Sequence, residues 1–186
     1  FEAHATLIDA HTLQVGEQTI TSKYILIATG GWPVVPEFPG SEHAITSNEA
    51  FYLPKFPTSV VIVGGGYIAV EFAGIFAGLG ARTTLVYRGD LFLRGFDDSV
   101  REFVKGEMQK KHINLMFNSN VTQIQKQTAA NGQNSFELTM ADGTQLSSDL
   151  VLYATGRKPK TAGLGLEQVG VALGDNGEVL VNDDYQ

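Results

Sequence analysis

A glycine-rich turn between two apolar segments is the part of the chain best suited to chemistry. Gly64, Gly66 and Ala69 have G-x-G-x-x-A spacing, directly after the β-branched run at 60–63. The first glycine permits a tight turn, the second lets a pyrophosphate approach the backbone, and the third, small residue lets helix and strand pack closely. A helix that begins here directs unpaired N–H groups and the positive end of its dipole at an anion. The pattern predicts a dinucleotide site; the alternative is a glycine turn that serves packing only.

Two arginines follow at the place where the ribose of a dinucleotide is recognised. About 20 residues beyond the glycine turn, NAD-binding chains carry an acidic residue that binds the ribose 2′-hydroxyl. Tyr87 occupies that place, and Arg88 and Arg94 come after it. A carboxylate would repel a 2′-phosphate, whereas two guanidinium groups can bind one through paired hydrogen bonds. The sequence therefore favours NADP over NAD; the alternative is that both arginines are solvated surface charges.

The segments around the turn predict the elements that position these residues. The strand at 60–63 has no charge, as in a parallel sheet covered on both faces, and the next helix is apolar nearly all round, which predicts burial. Further strands are expected at 83–87, 114–117 and 150–154, a helix from 97–98, and an antiparallel meander at 121–125, 135–140 and 145–147 with turns at 131–132 and 142–143. The predicted fold class is α/β, a Rossmann-like three-layer nucleotide-binding domain with a parallel sheet and an antiparallel β-meander.

The flanking segments predict parts of a second domain. Short strands are expected at 5–8, 12–15, 18–20 and 177–181, a buried strand at 24–28, and a short helix at 48–52 capped by Ser47 within a proline-rich connector. The Ala-Thr-Gly sequence occurs twice, at 28–30 and 154–156, each time after an apolar strand. We interpret the two occurrences as the points where the chain leaves one domain and returns to it.

Composition excludes several classes of site. The net charge of −7 gives no general basic surface for nucleic acid, and the absence of cysteine excludes disulfides, thiol chemistry and cysteine metal sites within these 186 residues. The histidines lack the paired spacing of metal ligands; they are His4, His11, His43 and His112. No apolar run reaches the ~18 residues of a membrane span and no signal peptide is visible. Because the sequence begins at Phe1 without an initiator methionine, we expect a piece of a longer protein.

In combination, these motifs resemble one known family. The run Gly-Gly-Gly-Tyr-Ile-Ala-Val-Glu-Phe-Ala-Gly at 64–74, Tyr87-Arg88, and Leu-Arg-Gly-Phe-Asp at 93–97 are similar to those of the FAD-dependent pyridine nucleotide–disulfide oxidoreductases, class I. The sequences at 25–31 and 154–159 resemble the two interdomain crossings of that family, and 178–186 resembles the strand before its second flavin motif. The resemblance covers nearly the whole chain.

The resemblance implies a role in NADPH binding for several residues. Glu71 is expected to reach the nicotinamide amide, Tyr67 to be the ring that moves when NADPH enters, and Arg157 to lie near the junction of NADPH and flavin. Tyr67 and Glu71 are the candidate catalytic residues; their alternatives are a core aromatic and an ordinary helix acid, although a charge in so apolar a helix is costly. The implied NADPH-binding set is Gly64, Gly65, Gly66, Tyr67, Ile68, Ala69, Glu71, Arg88, Arg94, Gly156 and Arg157.

The resemblance also implies FAD contacts and a division into domains. The residues expected at the adenine half of FAD are Ala5, Ala28, Thr29 and Gly30. Residues 1–47 and 155–186 would then be segments of the FAD domain, and 48–154 the NADPH-binding domain. No metal is expected.

The implied activity is that of a cytoplasmic, homodimeric flavoprotein oxidoreductase acting in cell redox homeostasis. Hydride would pass from NADPH to FAD and electrons on to a disulfide substrate, glutathione disulfide first among the candidates. The redox-active cysteine pair, the first FAD glycine motif and the dimerisation domain of the family do not occur in this sequence, so these residues alone would bind NADPH without reducing a disulfide. The alternatives are a stand-alone NADP-binding module, or a trypanothione reductase-like or dihydrolipoamide dehydrogenase-like enzyme; Tyr87, in place of an acid, counts against the last.

Overall fold

A computed structural model describes residues 1–128 and 134–186, which form two compact units. The smaller unit comprises residues 1–32 and 157–186, and the larger comprises residues 33–156. The chain passes between them shortly after each Ala-Thr-Gly sequence. The predicted boundaries at 47–48 and 154–155 refer to cofactor domains, and that assignment stays a prediction.

The helices and strands of the described residues follow the predicted order in most places. In chain order they are β1 (Ala5–Asp9), β2 (Thr12–Val15), β3 (Gln18–Thr21), β4 (Gly31–Pro33), α1 (Ser47–Ala50), β5 (Ser59–Val63), α2 (Tyr67–Gly78), β6 (Arg82–Val86), α3 (Asp98–Lys110), β7 (Asn114–Met116), β8 (Val121–Thr128), β9 (Asn134–Met140), β10 (Gln145–Ser148), β11 (Leu150–Tyr153) and β12 (Arg157–Pro159). Short 3₁₀ helices occupy Ser41–His43 and Glu167–Val169. The turn expected at 131–132 lies outside the described residues.

A four-stranded parallel sheet forms the centre of the larger unit. Its strand order is β11-β5-β6-β7, so the chain moves outward from β5 in one direction and returns through β11 on the other side. Consecutive parallel strands need a crossover connection, and α2 and α3 supply two of them. All five residues of β5 are buried, which confirms the prediction of a strand covered on both faces.

The two faces of this sheet are covered by different layers. Val60 and Ile62 share a core with α2 and α3, whereas Val61 and Val63 share a second core with the antiparallel sheet β10-β9-β8. This alternation follows from the period of two in a strand. The helices, the parallel sheet and the meander are the three layers that the sequence predicts, so the α/β fold class is confirmed.

Helix α2 is less buried than its composition predicts. Its buried residues lie towards the sheet and are Ala69, Phe72, Ala73 and Phe76. The side chains of Tyr67, Glu71, Ile75 and Leu79, spaced four residues apart, are exposed. The expectation that the whole helix is buried is therefore wrong for these residues, because the sheet covers only the side of the helix that faces it.

The smaller unit contains the predicted meander but lacks two predicted strands. Sheet β1-β2-β3 is antiparallel, as expected. Residues 24–28 form no strand, and Tyr24 and Leu26 are 80% and 88% exposed. A strand needs a neighbour to satisfy its N–H and C=O groups, and none lies beside this run among the residues described. At 177–181 the strand reduces to one isolated bridge between Leu173 and Val179.

Two smaller findings concern helices. Helix α1 begins one residue earlier than predicted, since Thr46, not Ser47, is its N-cap and shares a capping box with Glu49. In the described part of the chain, no helix has the length and apolar character needed to cross a membrane.

Candidate functional site

Gly64 fixes the end of β5 against its two neighbours in the sheet. Its backbone φ is 149°, and a Cβ atom added there would collide with the carbonyl oxygen of Ala154 and lie 3.2 Å from the Cβ of Ala69. The Gly64 amide also donates to the carbonyl of Val86 at 2.9 Å. The first glycine is therefore required by conformation and by space, as the motif predicts.

Gly66 has open space in front of its backbone. It is the N-cap of α2 with φ −87° and ψ 176°, a conformation open to any residue, and no heavy atom of the described residues lies within 4 Å of an added Cβ. No side chain caps the helix here. The first N–H groups of a helix have no intrahelical acceptor, so this end of α2 can donate to an anion. The open backbone and the uncapped helix end fit a pyrophosphate group.

Tyr87 fills the space beside Gly65. A Cβ atom at Gly65 would collide with one edge of the Tyr87 ring, and a Cβ at Gly89 would lie 2.7 Å from the other edge. The backbone of Tyr87 is held as well, since its N–H donates to the carbonyl of Met116 at 2.8 Å. The middle glycine thus accommodates an aromatic ring, a role that the sequence analysis missed; the glycines at 65 and 89 were its only signal.

Arg88 and Arg94 lie after the carboxyl end of β6, and both are exposed. Parallel neighbours end at the same edge of a sheet, so β6 delivers this segment to the edge where the glycine turn follows β5. The N–H of Leu93 donates to the carbonyl of Gly65 at 2.6 Å, so the residue before Arg94 is bonded directly to the turn. Among the described residues neither arginine forms an ion pair.

The edge of the sheet that carries the glycine turn also lies at a change in chain direction. The chain runs from β5 to β6 on one side, and β11 lies on the other side of β5. Ligands of open α/β sheets bind in the crevice outside the carboxyl ends of the strands at such a switch point. Gly156, two residues after Ala154 at this edge, has φ 144°, and in the part of the chain that the structure describes no heavy atom lies within 4 Å of an added Cβ.

Tyr67 and Glu71 lie one turn apart on the exposed side of α2. Tyr67 is the first helical residue, directly after Gly66, and Ile68 packs against the core. The expectation that Glu71 is a buried carboxylate is wrong, because its side chain is exposed at the i+4 position from Tyr67. Helix α2 places Glu71 one turn beyond Tyr67, which directly follows the glycine turn. The role of Glu71 towards the nicotinamide stays a prediction.

Arg157 and the residues expected to contact FAD lie in the smaller unit. The Arg157 guanidinium donates to the carbonyl of Gly31. Thr29 Oγ1 donates to the carbonyl of Lys160 at 2.7 Å, and the Lys160 amide donates to Gly30 at 2.8 Å. These bonds join the segment at 29–31 to the segment at 157–160.

The other two residues predicted to contact FAD are Ala28 and Ala5. Ala28 is exposed, and Ala5 begins β1 in the meander. No hydrogen bond among the described residues joins Ala5 to the segment at 28–30. The FAD assignments of both residues stay predictions.

Comparison with known proteins agrees with this architecture. The sequence profile of the family described as pyridine nucleotide-disulphide oxidoreductase matches residues 1–186. Glutathione reductase of Nostoc sp. is 44% identical over 172 residues, which cover 92% of this chain and 37% of that protein. Trypanothione reductase of Leishmania donovani is 44% identical over 188 aligned positions, covering 95% of this chain and 37% of that protein.

A solved structure agrees as well. The HOCl-induced flavoprotein disulfide reductase RclA from Escherichia coli has a TM-score of 0.88 at 30% identity, covering 97% of this chain and 41% of that one. The chain thus spans about two fifths of the length of these proteins or less. The expected resemblance is confirmed, and with it the flavoprotein and oxidoreductase class of the relatives. The chain belongs to the pyridine nucleotide-disulphide oxidoreductase family.

Proposed function

We propose that the larger unit binds NADPH as part of an NADPH-dependent flavoprotein disulfide reductase. The observation that carries the proposal is the bond from the Leu93 amide to the Gly65 carbonyl, since it joins the arginine-bearing loop to the phosphate turn. A pyrophosphate at Gly66 and a 2′-phosphate at Arg88 and Arg94 belong to the same nucleotide. The two subsites therefore lie on directly bonded segments, as an adenosine with phosphates at both ends requires.

The residues of the chain bind and orient the nucleotide. The uncapped start of α2 donates N–H groups to the pyrophosphate, and Gly66 leaves room for it. Arg88 and Arg94 neutralise the 2′-phosphate in a chain whose net charge is −7, so they supply a local positive potential that attracts the dianion. Tyr67 and Glu71, with Ile68 and Ala69, lie beside the turn; we assign the first two to the nicotinamide half.

The second cofactor is FAD, assigned to the smaller unit. The proposed FAD contacts are Ala5, Ala28, Thr29 and Gly30, whereas Gly156 and Arg157 are assigned to NADPH. When bound, NADPH would supply a hydride and FAD would accept it; the residues of this chain would contribute by binding and orienting the cofactors. We propose glutathione disulfide as the substrate of the full-length protein, with trypanothione disulfide as the alternative, and a cytoplasmic homodimer as its state.

Neutral substitution of the two arginines tests the NADPH assignment. We expect Arg88→Gln and Arg94→Gln in the full-length protein each to weaken NADPH binding about 10-fold, because each removes charge-assisted hydrogen bonds to a phosphate. NADH lacks that phosphate and should bind as before. Dissociation constants measured by titration are the readout, and Lys110→Gln, which removes a charge on the far part of α3, is the control. Equal losses for the two nucleotides would overturn the assignment.

A non-catalytic NADP-binding module is the second candidate, favoured by the absence of cysteine from this chain. The colour of the purified full-length protein separates the two. A yellow protein, which retains bound flavin, supports the reductase. A colourless protein that still binds NADPH supports the module.

A further inference from the structure

Arg101 ties helix α3 to the loop that carries Arg94. Its side chain is only 15% exposed, although arginine is seldom buried without partners. Nε donates to the carbonyl of Phe92 at 2.8 Å and Nη2 donates to the carbonyl of Leu91 at 2.7 Å. The remaining nitrogen, Nη1, is 2.6 Å from Oδ1 of the exposed Asp98. One guanidinium therefore binds two successive carbonyls of the loop.

The bonded carbonyls belong to the buried part of the loop. Phe92 is fully buried, with its ring 5.7 Å from that of Phe117, and Leu91 and Leu93 are also buried. Arg94 directly follows and is exposed. The loop thus has an anchored half that packs into the core and a solvent-facing residue that can reach a ligand.

The backbone on either side of Arg94 adopts unusual conformations. Leu93 has φ 58° and Gly95 has φ 95°, so two residues flanking Arg94 adopt left-handed conformations. A non-glycine residue in this region costs of the order of 1 kcal/mol and is retained only where its surroundings hold it. The Arg101 side chain donates to the carbonyl of Phe92, and the carbonyl of Gly65 accepts from the Leu93 amide at 2.6 Å. The Leu93 bond thus fixes the residue before Arg94 to the phosphate turn, and the Phe92 bond fixes the same loop to α3.

We propose that Arg101 is a positioning residue for NADPH selectivity: it holds the loop at 91–95 so that Arg94 faces the 2′-phosphate when the pyrophosphate lies at the glycine turn. This inference rests on the proposed role of Arg94. A lysine keeps the charge, yet it cannot present two donors of one planar group to successive carbonyls. The proposal therefore requires the guanidinium itself and not just a positive charge.

The test compares Arg101→Lys with Arg101→Gln in the full-length protein, using titration with NADPH and with NADH. We expect Arg101→Lys to weaken NADPH binding about fivefold and to leave NADH binding within twofold of wild type. Arg101→Gln should weaken NADPH binding about tenfold. Lys110→Gln is the charge-matched control, since Lys110 contacts Glu107 on the same helix and is remote from the loop contacts.

A double-mutant cycle distinguishes positioning from other effects. In an Arg94→Gln background, Arg101→Lys should weaken NADPH binding less than twofold, because the residue that it positions is gone. An undiminished effect in that background, or equal losses for NADPH and NADH, would overturn the proposal. If Arg94→Gln itself leaves the NADPH preference unchanged, it is the proposed function that fails.

Hydrogen exchange in the wild-type protein tests the same idea without any substitution. The amides of Leu93 and Phe96 donate to Gly65 and to Leu93, so both should be protected before nucleotide is added. Protection at these amides supports a loop prearranged for NADPH. Complete exchange within seconds in the nucleotide-free protein contradicts it, even if both Arg101 variants fail to fold.

Discussion

At the scale of single residues, three successive glycines serve three different purposes. Gly64 has a backbone conformation that other residues rarely adopt, and it lies against the carbonyl of Ala154. Gly65 makes room for the ring of Tyr87, whereas Gly66 leaves space that no atom of the described residues fills. The first two therefore serve the structure of the protein itself. The third leaves the space beside its backbone open to a ligand, and the NADPH assignments of all three stay predictions.

This division predicts opposite effects of alanine at the first and third glycine. Gly64→Ala should lower the free energy of unfolding by about 2–4 kcal/mol, since it combines backbone strain with a steric collision. Gly66→Ala should cost less than about 1 kcal/mol, as at other N-cap glycines, yet weaken NADPH binding at least fivefold. Urea unfolding and nucleotide titration measure the two quantities. A Gly66→Ala protein that binds NADPH normally contradicts the phosphate site.

At the scale of elements, two parallel strands are joined at the edge of the sheet opposite the glycine turn. Asp149, just before β11, accepts hydrogen bonds from the amides of Thr58 and Ser59 at 3.0 and 3.1 Å. In return, the Asp149 amide donates to Ser59 Oγ at 3.0 Å. This reciprocal contact fixes the starts of β5 and β11, whose other ends lead to Gly64 and Ala154. The contact thus lies at the opposite ends of these strands from the glycine turn.

Asp149→Ala should therefore reduce stability without changing the ligand site. We expect the free energy of unfolding to fall by about 2 kcal/mol, since two backbone amides lose a charged acceptor. Asp149→Asn keeps an oxygen at that position and should cost about half as much. Thermal unfolding measures both, and NADPH affinity of the folded protein should stay within twofold of wild type. A large loss of affinity would mean that the anchor and the site are coupled.

At the scale of the molecule, the larger unit has a core on each face of its parallel sheet. Tyr153, the last residue of β11, belongs to the core shared with the meander, where its ring lies 5.5 Å from that of Phe38. Burial raises the pKa of the Tyr153 hydroxyl well above its usual value. The ionised form is disfavoured because the interior solvates it poorly.

Alkaline pH should consequently unfold this protein in part through Tyr153. Above the usual tyrosine pKa of about 10, the unfolded chain loses this proton while the folded protein keeps it. The unfolded state then binds fewer protons, so the free energy of unfolding falls as pH rises. In Tyr153→Phe the decline between about pH 10 and 11.5 should be shallower than in wild type. Identical slopes in urea unfolding at several pH values would contradict this contribution.

Periodicity and composition predicted the larger unit well because its elements are determined locally. The β-branched run of β5, the small residues of α2 and the alternation along β8–β10 each indicate an element by themselves. Residues 24–28 have the same apolar character as β11, yet they form no strand among the described residues. Whether an apolar run becomes a strand depends on a neighbouring edge, and a single segment carries no information about that edge.

Side-chain environments were harder to predict than elements. Glu71 lies in an apolar helix, which favoured burial, but its place four residues from Tyr67 leaves it on the exposed side. No sequence motif indicated a role for Arg101. Its two bonds to loop carbonyls depend on how the loop at 91–93 folds back over the start of α3, and that path is decided by the burial of Phe92.

The sequence by itself determined the glycine turn, the two cations after β6, the three layers and the family, since each depends on residue type at short spacing. The tertiary structure decided which side of α2 is exposed, that Tyr87 fills the space at Gly65, and that the loop of Arg94 is bonded to the turn. The physical reason is distance along the chain. Contacts between residues tens of positions apart form only once the sheet brings its strands together.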